Sequence, residues 1–324
     1  MDKKLLFEVK DIKKYFLIKK AKKEEDKVYV KAVDGLSFEI YEGETLGVIG
    51  ESGCGKSTLG RNMLRLEEPT SGSIIFKGRD IVGLDKRQML ELRKEMQFIF
   101  QDPHSSMNPK LTIKDIISEP LDNFRKDMTN EQKTNYIIEL LEIVGLTKDV
   151  LNRYPHEFSG GQKQRIVIAR GIALNPSFVV CDESVSALDV SVQAQVINLL
   201  KNLQKKFSLT YMFISHDLRV IKHISDRIMV LYLGNIMEIA ESNELFKNPK
   251  HPYTKSLINL VSSGEKVKIN DKQILKGEIP SPLQISAGCP FNTRCPQAQD
   301  KCFKEKPLLE DLNETHKVAC FFAN

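Results

Sequence analysis

The stretch at residues 50 to 58, GESGCGKST, has a composition that suits phosphate binding better than core packing. Glycine buries no side chain and loses more backbone entropy on ordering than any other residue. Gly50 is followed by four residues and then by Gly55, Lys56 and Ser57, which is the spacing of a phosphate-binding loop. In such a loop, backbone N–H groups curl around the phosphates and the next helix presents its positive N-terminus.

The flanks of this loop predict the two elements that it needs. ETLGVIG before the loop is a short apolar strand ending in glycine, and STLGRNMLRL after it has helical spacing. Lys56 is expected to reach the β and γ phosphates, and Ser57 to bind Mg²⁺. The predicted nucleotide-binding residues of the loop are Gly50, Ser52, Gly53, Cys54, Gly55, Lys56, Ser57 and Thr58.

A second group of charged residues ends a buried strand. FVVCDE places Asp182 and Glu183 where ionised carboxylates are costly without a cation or strong donors. Asp182 therefore fits an indirect Mg²⁺ ligand, and Glu183 fits a general base that polarises the attacking water. The alternative, an acidic pair that only caps the next helix, is less favoured because a phosphate loop lies upstream.

The stretch EFSGGQKQRIVIAR predicts a second anion-binding helix start. Ser159, Gly160 and Gly161 open a helix whose basic residues cannot all lie in a core. One nucleotide does not need two such helix starts from one subunit. We therefore expect this end to face a nucleotide held by another subunit.

Apolar runs alternate with helical patterns along most of the chain, which has 324 residues, 41% of them hydrophobic and 28% charged. Such continuous apolar strands predict a parallel sheet covered on both faces. Residues 106–177 are dominated by helical patterns and predict an inserted helical subdomain; in EQKTNYIIELLEIVGL, Ile137, Leu141 and Val144 share one face. A hairpin is predicted near the start of the chain, with a first strand at 5–16, a lysine-rich loop and a second strand that begins at Val28.

Charge and hydropathy restrict the function class. The formal net charge of +5 does not indicate nucleic-acid binding. No signal-peptide segment and no run of 18 apolar residues occurs, so we expect a soluble, cytosolic chain. The pattern weakens after residue 245, which predicts a boundary between a 1–247 domain and an irregular, cysteine-containing 248–324 extension.

Together these motifs resemble those of the nucleotide-binding subunits of ATP-binding cassette (ABC) transporters, over about residues 5 to 245. GESGCGKST is similar to the Walker A motif, FVVCDE to Walker B, and FSGGQ to the family signature with Phe158 in place of leucine. The resemblance implies the α/β ABC ATPase fold, which has a parallel RecA-like sheet core, an antiparallel β subdomain and the inserted helical subdomain. Ser184 stands where the family often has proline.

The resemblance also implies roles for residues that the local patterns leave unassigned. Gln101 is the Q-loop glutamine, which senses Mg²⁺ and the γ-phosphate next to the surface that meets the membrane subunits, and His216 is the switch histidine. Phe16 is expected to stack on adenine, with Tyr15 as the alternative. The residues expected to face the other subunit's nucleotide are Ser159, Gly160, Gly161, Gln162 and, in the D-loop at 186–189, Asp189.

Four of the six cysteines lie in the extension, at Cys289, Cys295, Cys302 and Cys320. Their spacing fits neither zinc fingers nor a bacterial ferredoxin, so metal binding and disulfides both stay open, although a reducing cytosol disfavours disulfides. HPYTKSL, GEIPSP and GCPFNTRCP resemble the extension of the dipeptide, oligopeptide and nickel importer ATPases, especially the second cassette of the pair. That resemblance implies a [4Fe–4S] cluster held by the four cysteines, with zinc as the alternative.

The resemblance implies an ATP-driven, Mg²⁺-dependent motor on the cytoplasmic face of the membrane. Its expected partners are two permease subunits, a paralogous cassette or a second copy of itself, and an extracytoplasmic solute-binding protein, but no nucleic acid. Dipeptides or oligopeptides are the expected cargo, and nickel, glutathione or another solute is the alternative. A soluble ABC ATPase acting on ribosomes or DNA is disfavoured, because the chain has one signature and no sustained heptads.

Overall fold

The computed structural model describes residues 4–19, 28–262, 280 and 287–323. The strands in chain order are β1 Leu5–Lys19, β2 Val28–Tyr41, β3 Thr45–Ile49, β4 Ser71–Phe76, β5 Arg79–Asp80, β6 Met96–Ile99, β7 Phe178–Asp182, β8 Thr210–Ile214, β9 Arg227–Tyr232, β10 Asn235–Glu241, β11 Glu310–Asn313 and β12 His316–Val318.

The α-helices are α1 Lys56–Met63, α2 Lys86–Leu92, α3 Pro103–Ser106, α4 Ile113–Phe124, α5 Asn130–Ile143, α6 Gly160–Ile172, α7 Val190–Phe207, α8 Leu218–Ile224, α9 Ser242–Lys247, α10 Pro252–Ser262 and α11 Asp300–Lys304. Short 3₁₀ turns lie at Lys148–Val150 and Pro155–Glu157. None of the helices in the described ranges is both long enough and apolar enough to cross a membrane.

The chain divides into two compact units. The first, called the loop unit here, comprises residues 1–41, 45–83 and 215–324. The second, called the carboxylate unit, comprises residues 42–44 and 84–214.

One sheet of the loop unit is antiparallel, in the order β2-β1-β4-β5. β1 pairs with β2, which confirms the predicted hairpin and its return at Val28. The intervening residues 20–27 lie outside the described residues. Phe7 and Phe76 are buried on neighbouring strands with their ring centroids 4.8 Å apart, so this sheet has its own apolar face.

The other sheet of the loop unit contains the strand before the phosphate loop. β3 is buried along its whole length and pairs in parallel with β9. β10 is antiparallel to β9, and β12 is antiparallel to β10, so residues 316–318 of the extension join this sheet. The extension, expected to be irregular, thus also contains α10, α11 and the β11–β12 pair.

The carboxylate unit combines three parallel strands with a helical region. β6 pairs with β7 and β7 with β8, all in parallel, as the apolar runs predict. The predicted helix at 131–146 is α5, and its expected apolar face at Ile137, Leu141 and Val144 is fully buried. Thr129 begins α5 with a capping box, the reciprocal hydrogen bonding typical of a helix N-terminus.

Candidate nucleotide site and cysteine cavity

The phosphate loop connects β3 to α1, and its backbone requires glycine at the positions that the motif fixes. Gly50 has φ +154° and Gly55 has φ +103°, in the region that favours glycine. A Cβ at Gly50 would lie 2.2 Å from the Leu231 carbonyl oxygen, and one at Gly55 would lie 2.0 Å from that of Ala32. Any side chain at either position would displace the surrounding backbone.

Lys56 lies in the first turn of α1, and its side chain turns back over the loop. The residue is 5% exposed, and its ammonium donates to the carbonyl oxygens of Gly50 at 2.8 Å and Glu51 at 3.0 Å. The helix begins at Gly55 without a side-chain cap. A helix start of this kind is a ready anion site, because no side chain of its own covers the first-turn N–H groups.

The two aromatic candidates for adenine stacking lie side by side on β1. The hydroxyl of Tyr15 donates to the Asp34 carboxylate, and burial together with that contact raises the pKa of Tyr15. Lys31 places its ammonium 5.4 Å from the Tyr15 ring centroid, and Lys14 places its own 4.8 Å from that of Phe16. The Tyr15 ring is therefore held by a hydrogen bond that the Phe16 ring cannot make.

His216 follows β8 on an exposed turn of the loop unit. Its neighbours Ser215 and Asp217 shape this turn, since the Asp217 N–H donates to the Ser215 hydroxyl at 3.0 Å. Asp217 in turn caps α8 by accepting the N–H of Arg219 at 2.8 Å. The histidine thus lies in a well-defined turn at the start of a helix.

In the carboxylate unit, the predicted base and the Q-loop glutamine are in direct contact. The Gln101 side-chain amide donates to the Glu183 carboxylate at 2.8 Å. Glu183 has φ +46°, an uncommon conformation for a residue other than glycine, and its N–H donates to the Ile214 carbonyl at 2.9 Å. Asp182, at the end of β7, is 4% exposed.

The signature residues form the start of α6. Ser159 caps this helix and makes a capping box with Gln162, whose side chain accepts the Ser159 N–H at 3.0 Å. A Cβ at Gly161 would lie 2.4 Å from Val192 Cγ1, which explains the need for glycine there. Phe158, which stands where the family signature commonly has leucine, is 5% exposed. The Arg153 guanidinium lies over the Phe158 ring, 4.6 Å from the ring centroid.

Asp189 ends the D-loop as the N-cap of α7, where its carboxylate accepts the N–H of Val192 at 3.0 Å. The predicted site residues are thus divided between the two units. The loop unit holds the phosphate loop, the aromatic pair and His216. The carboxylate unit holds Gln101, Asp182, Glu183 and the signature and D-loop residues.

The four cysteines of the extension line one cavity with an empty volume of about 360 Å³, together with aromatic side chains that include Phe291. Burial raises the pKa of the Cys289 thiol to about 11, and the three other thiols add to this shift. All four are free cysteines, so the disulfide alternative is not present in this structure. Among the residues that the structure describes, no three His, Cys, Asp or Glu side chains form a site for a single metal ion.

Local sequence patterns miss one residue of the phosphate loop and two residues of the extension that contact it. Glu51, inside the loop, contacts Tyr253 and Arg294 of the extension. These partners are separated from Glu51 by 202 and 243 positions. The available signal in the sequence was Arg294, a charged residue that lies between two cysteines of the extension. If such a residue is buried, it is expected to have a charged partner, because charged residues are seldom buried unless they are paired.

Comparison with known proteins agrees with this fold. Residues 33–186 match the ABC transporter family, and residues 237–302 match the family described as oligopeptide/dipeptide transporter, C-terminal region. A dimeric ATP-binding cassette solved in a post-hydrolysis state with ADP and Pi is similar over 73% of this chain and 99% of that chain, with a TM-score of 0.65 and 28% identity.

The similarity to curated proteins extends over nearly the whole chain. Oligopeptide transport ATP-binding protein AppF of Bacillus subtilis is 50% identical over 97% of this chain and 96% of its own length. Oligopeptide transport ATP-binding protein OppF of Salmonella typhimurium is 46% identical over 98% of this chain and 96% of its own length. The chain therefore belongs to the ABC transporter family, as one of its ATP-hydrolysing subunits.

Proposed function

We propose that this chain is the motor subunit of an ABC importer that takes up oligopeptides or dipeptides. The observation that carries the proposal is the 50% identity to an oligopeptide transport ATP-binding protein over 97% of the chain. The match to the C-terminal region family supports the same assignment. A regulator that binds ATP without turnover is disfavoured by the contact between Gln101 and Glu183.

Binding of ATP begins at the phosphate loop. Its backbone N–H groups and the start of α1 hold the phosphates, and Lys56 adds a positive charge beside them. Phe16 stacks on adenine in this proposal, with Tyr15 as the alternative, because the Tyr15 hydroxyl is already bonded to Asp34. These contacts fix where the γ-phosphate lies relative to the turn that carries His216.

Ser57, Gln101 and Asp182 would hold Mg²⁺. Hydroxyl, amide and carboxylate oxygens are the hard ligands that this ion prefers. Asp182 fits the role because it is a carboxylate at the carboxyl end of β7, directly before Glu183. When bound, Mg²⁺ neutralises charge on the phosphate oxygens.

Hydrolysis requires a proton acceptor beside the attacking water. Glu183 accepts this proton, and the Gln101 amide orients the carboxylate from 2.8 Å away. His216 contacts the γ-phosphate and stabilises its developing charge. Ser159 to Gln162 and Asp189 face the nucleotide of the partner cassette, so bound ATP closes the dimer and hydrolysis opens it.

In this proposal the four extension cysteines would hold a [4Fe–4S] cluster. They share one cavity but do not form a site for a single ion among the described residues. Four cysteine thiolates are the usual ligands of such a cluster, and zinc, which four cysteines can also bind, is the alternative. The cluster would stabilise the extension, since metal binding at such a site contributes folding free energy.

Anaerobic purification of the full chain tests the cluster through its metal content. We expect iron and labile sulfide in the wild-type chain and their loss in Cys302→Ser. Cys181→Ala is the matched control, because Cys181 is buried in β7 and is not among the cavity residues. Zinc as the only bound metal, or iron that persists in Cys302→Ser, would contradict the assignment.

The motor works with partners at the cytoplasmic face of the membrane. Two permease subunits, a paralogous cassette or a second copy of this chain, and an extracytoplasmic solute-binding protein complete the importer. The names of the relatives favour peptides as cargo over nickel or glutathione.

Mass spectrometry of proteins that co-purify with this chain from detergent-solubilised membranes tests the assembly. We expect two multi-helix permeases, a second cassette and a solute-binding protein, whose ligand then identifies the cargo. Ribosomal or DNA-repair proteins without permeases would instead support a soluble ABC ATPase. A solute-binding protein that binds nickel or glutathione would overturn the peptide assignment alone.

A further inference from the structure

Glu51 connects the phosphate loop to the C-terminal extension by two separate contacts. Its backbone N–H donates to the Tyr253 hydroxyl at 3.0 Å. Its carboxylate accepts hydrogen bonds from both terminal nitrogens of Arg294, with Nη1 2.7 Å from Oε2 and Nη2 3.0 Å from Oε1. The extension therefore holds both the main chain and the side chain of a residue within the loop.

The ion pair is largely shielded from solvent. The Arg294 side chain is 6% exposed and the Glu51 side chain 19% exposed. Arg294 also donates to the Tyr232 hydroxyl at 3.3 Å. Two parallel hydrogen bonds between a guanidinium and a carboxylate fix both the orientation and the separation of the two side chains. Loss of either partner leaves an unpaired charge that is poorly exposed to solvent.

The partners of Glu51 are themselves fixed by an aromatic cluster of Tyr232, Tyr253 and Phe291. All three are fully buried, with ring centroids 4.8 Å apart for the two tyrosines and 5.3 Å for each tyrosine with Phe291. Phe291 also lines the cysteine cavity. Close aromatic packing has few alternative arrangements, so it provides a rigid support for the loop.

The remaining polar group of the Glu51 backbone contacts the lysine that the motif requires. The carbonyl oxygens of Gly50 and Glu51 accept hydrogen bonds from the Lys56 ammonium at 2.8 and 3.0 Å. The position of the Glu51 peptide consequently affects that of Lys56. The Glu51 carboxylate also adds negative charge to a loop that must hold phosphates, and Arg294 neutralises it.

We propose that Arg294 and Tyr253 are positioning residues for ATP, which hold the phosphate loop in its binding conformation and neutralise Glu51. The extension is then part of the ATP-binding apparatus as well as a module that contains cysteines. The inference rests on the proposed role of residues 50–58 in binding ATP. Neither residue contacts the reacting atoms, so their loss should weaken ATP binding more than it slows catalysis at saturation.

Calorimetric titration of Mg-ATP into the full chain tests this proposal. We expect Arg294→Gln to raise the Kd for ATP roughly tenfold, the result if the loop keeps its binding conformation about a tenth of the time. Arg294→Lys keeps the charge but loses the fork, and should be intermediate. Adding Glu51→Gln to Arg294→Gln removes the unbalanced carboxylate but does not replace the lost fork, so it should restore only part of the affinity.

Two controls separate the possible failures. Lys317→Gln removes another ion pair of the extension, with the exposed Asp311, and should leave the Kd unchanged. Lys56→Ala should abolish tight binding, and unchanged binding in that variant would overturn the proposed role of the loop itself. If Lys56→Ala fails to bind while Arg294→Gln binds within twofold of wild type, only the positioning role is overturned.

Two results would exclude a purely structural role for Arg294: recovery of affinity for ATP in the double variant, and a rise in KM for ATP without a fall in kcat. Loss of fold alone would make the Glu51→Gln, Arg294→Gln double variant weaker than Arg294→Gln, which would contradict the proposal. Should Arg294→Gln not fold, Arg294→Lys carries the same test, because it keeps the charge, loses the fork and should weaken ATP binding. In the assembled transporter, we expect the KM for ATP to rise while kcat stays within about twofold.

Discussion

The loop unit and the carboxylate unit hold different groups of the predicted nucleotide-site residues, and their construction differs. In the loop unit, the groups are glycine backbone, a 5% exposed lysine and a shielded ion pair with the extension. In the carboxylate unit, Gln101 and Glu183 meet through one side-chain hydrogen bond, at a residue with a left-handed backbone. The first construction suits tight binding, and the second suits chemistry. Variants should therefore separate the two.

Glu183→Gln should produce the largest effect. Without a proton acceptor, kcat of the assembled transporter should fall by roughly 10² to 10⁴, the usual contribution of a general base. Phosphate release measures this directly. Glu142→Gln, an exposed glutamate on α5, is the matched control and should turn over normally. Near wild-type turnover of Glu183→Gln would mean that another group is the base.

Acid should destabilise the loop unit through His251. Burial lowers the pKa of this histidine to about 4, and its Nδ1 accepts the Tyr253 N–H at 3.1 Å. Because the folded-state pKa is depressed, the contribution to stability is fully present above pH 6.5 and is lost as pH falls towards 4. The linked loss of unfolding free energy is roughly 3 kcal/mol.

Urea unfolding across this pH range measures the effect. His251→Gln cannot titrate, so its unfolding free energy should depend less on pH between 6.5 and 4. His223→Gln, an exposed histidine on α8, should keep the wild-type pH dependence. Equal slopes for wild type and His251→Gln would show that other groups cause the acid sensitivity.

The smallest expected effect concerns adenine. Phe16→Ala should raise the Kd for ATP about tenfold, since stacking of a base on an aromatic ring contributes roughly 1 to 3 kcal/mol. Tyr15→Phe removes only the hydroxyl bonded to Asp34 and should bind ATP normally. If Tyr15→Ala weakens ATP binding and Phe16→Ala does not, Tyr15 and not Phe16 stacks on adenine.

The fold was largely predictable because its signals are local. Buried strands such as β3 and β7 are continuous apolar runs, and the glycines of residues 50–58 have positive φ angles within the loop itself. Assignment of Tyr15 against Phe16 was harder, because the pairing of β1 with β2 shifts register between Lys14 and Tyr15. A shift of one residue exchanges the faces of a strand.

Contacts between distant positions were not predictable. The Arg294 and Glu51 pair joins residues 243 positions apart, and no spacing rule connects them. The cysteines were visible as a group, but their separations match no standard motif, and only the fold brings Cys320 to the cavity that contains Cys289. Charge burial and cavity formation depend on tertiary packing, which a single sequence does not specify locally.

Titration of Mg-ATP into Lys56→Ala and Glu183→Gln, side by side, tests the division between binding and chemistry most directly. We predict that Lys56→Ala loses at least tenfold in affinity, while Glu183→Gln binds within about threefold of wild type and releases phosphate at least about a hundredfold more slowly in a single turnover. Equal losses of affinity in both variants, or hydrolysis by Glu183→Gln at a rate near that of wild type, would contradict this account of the two units.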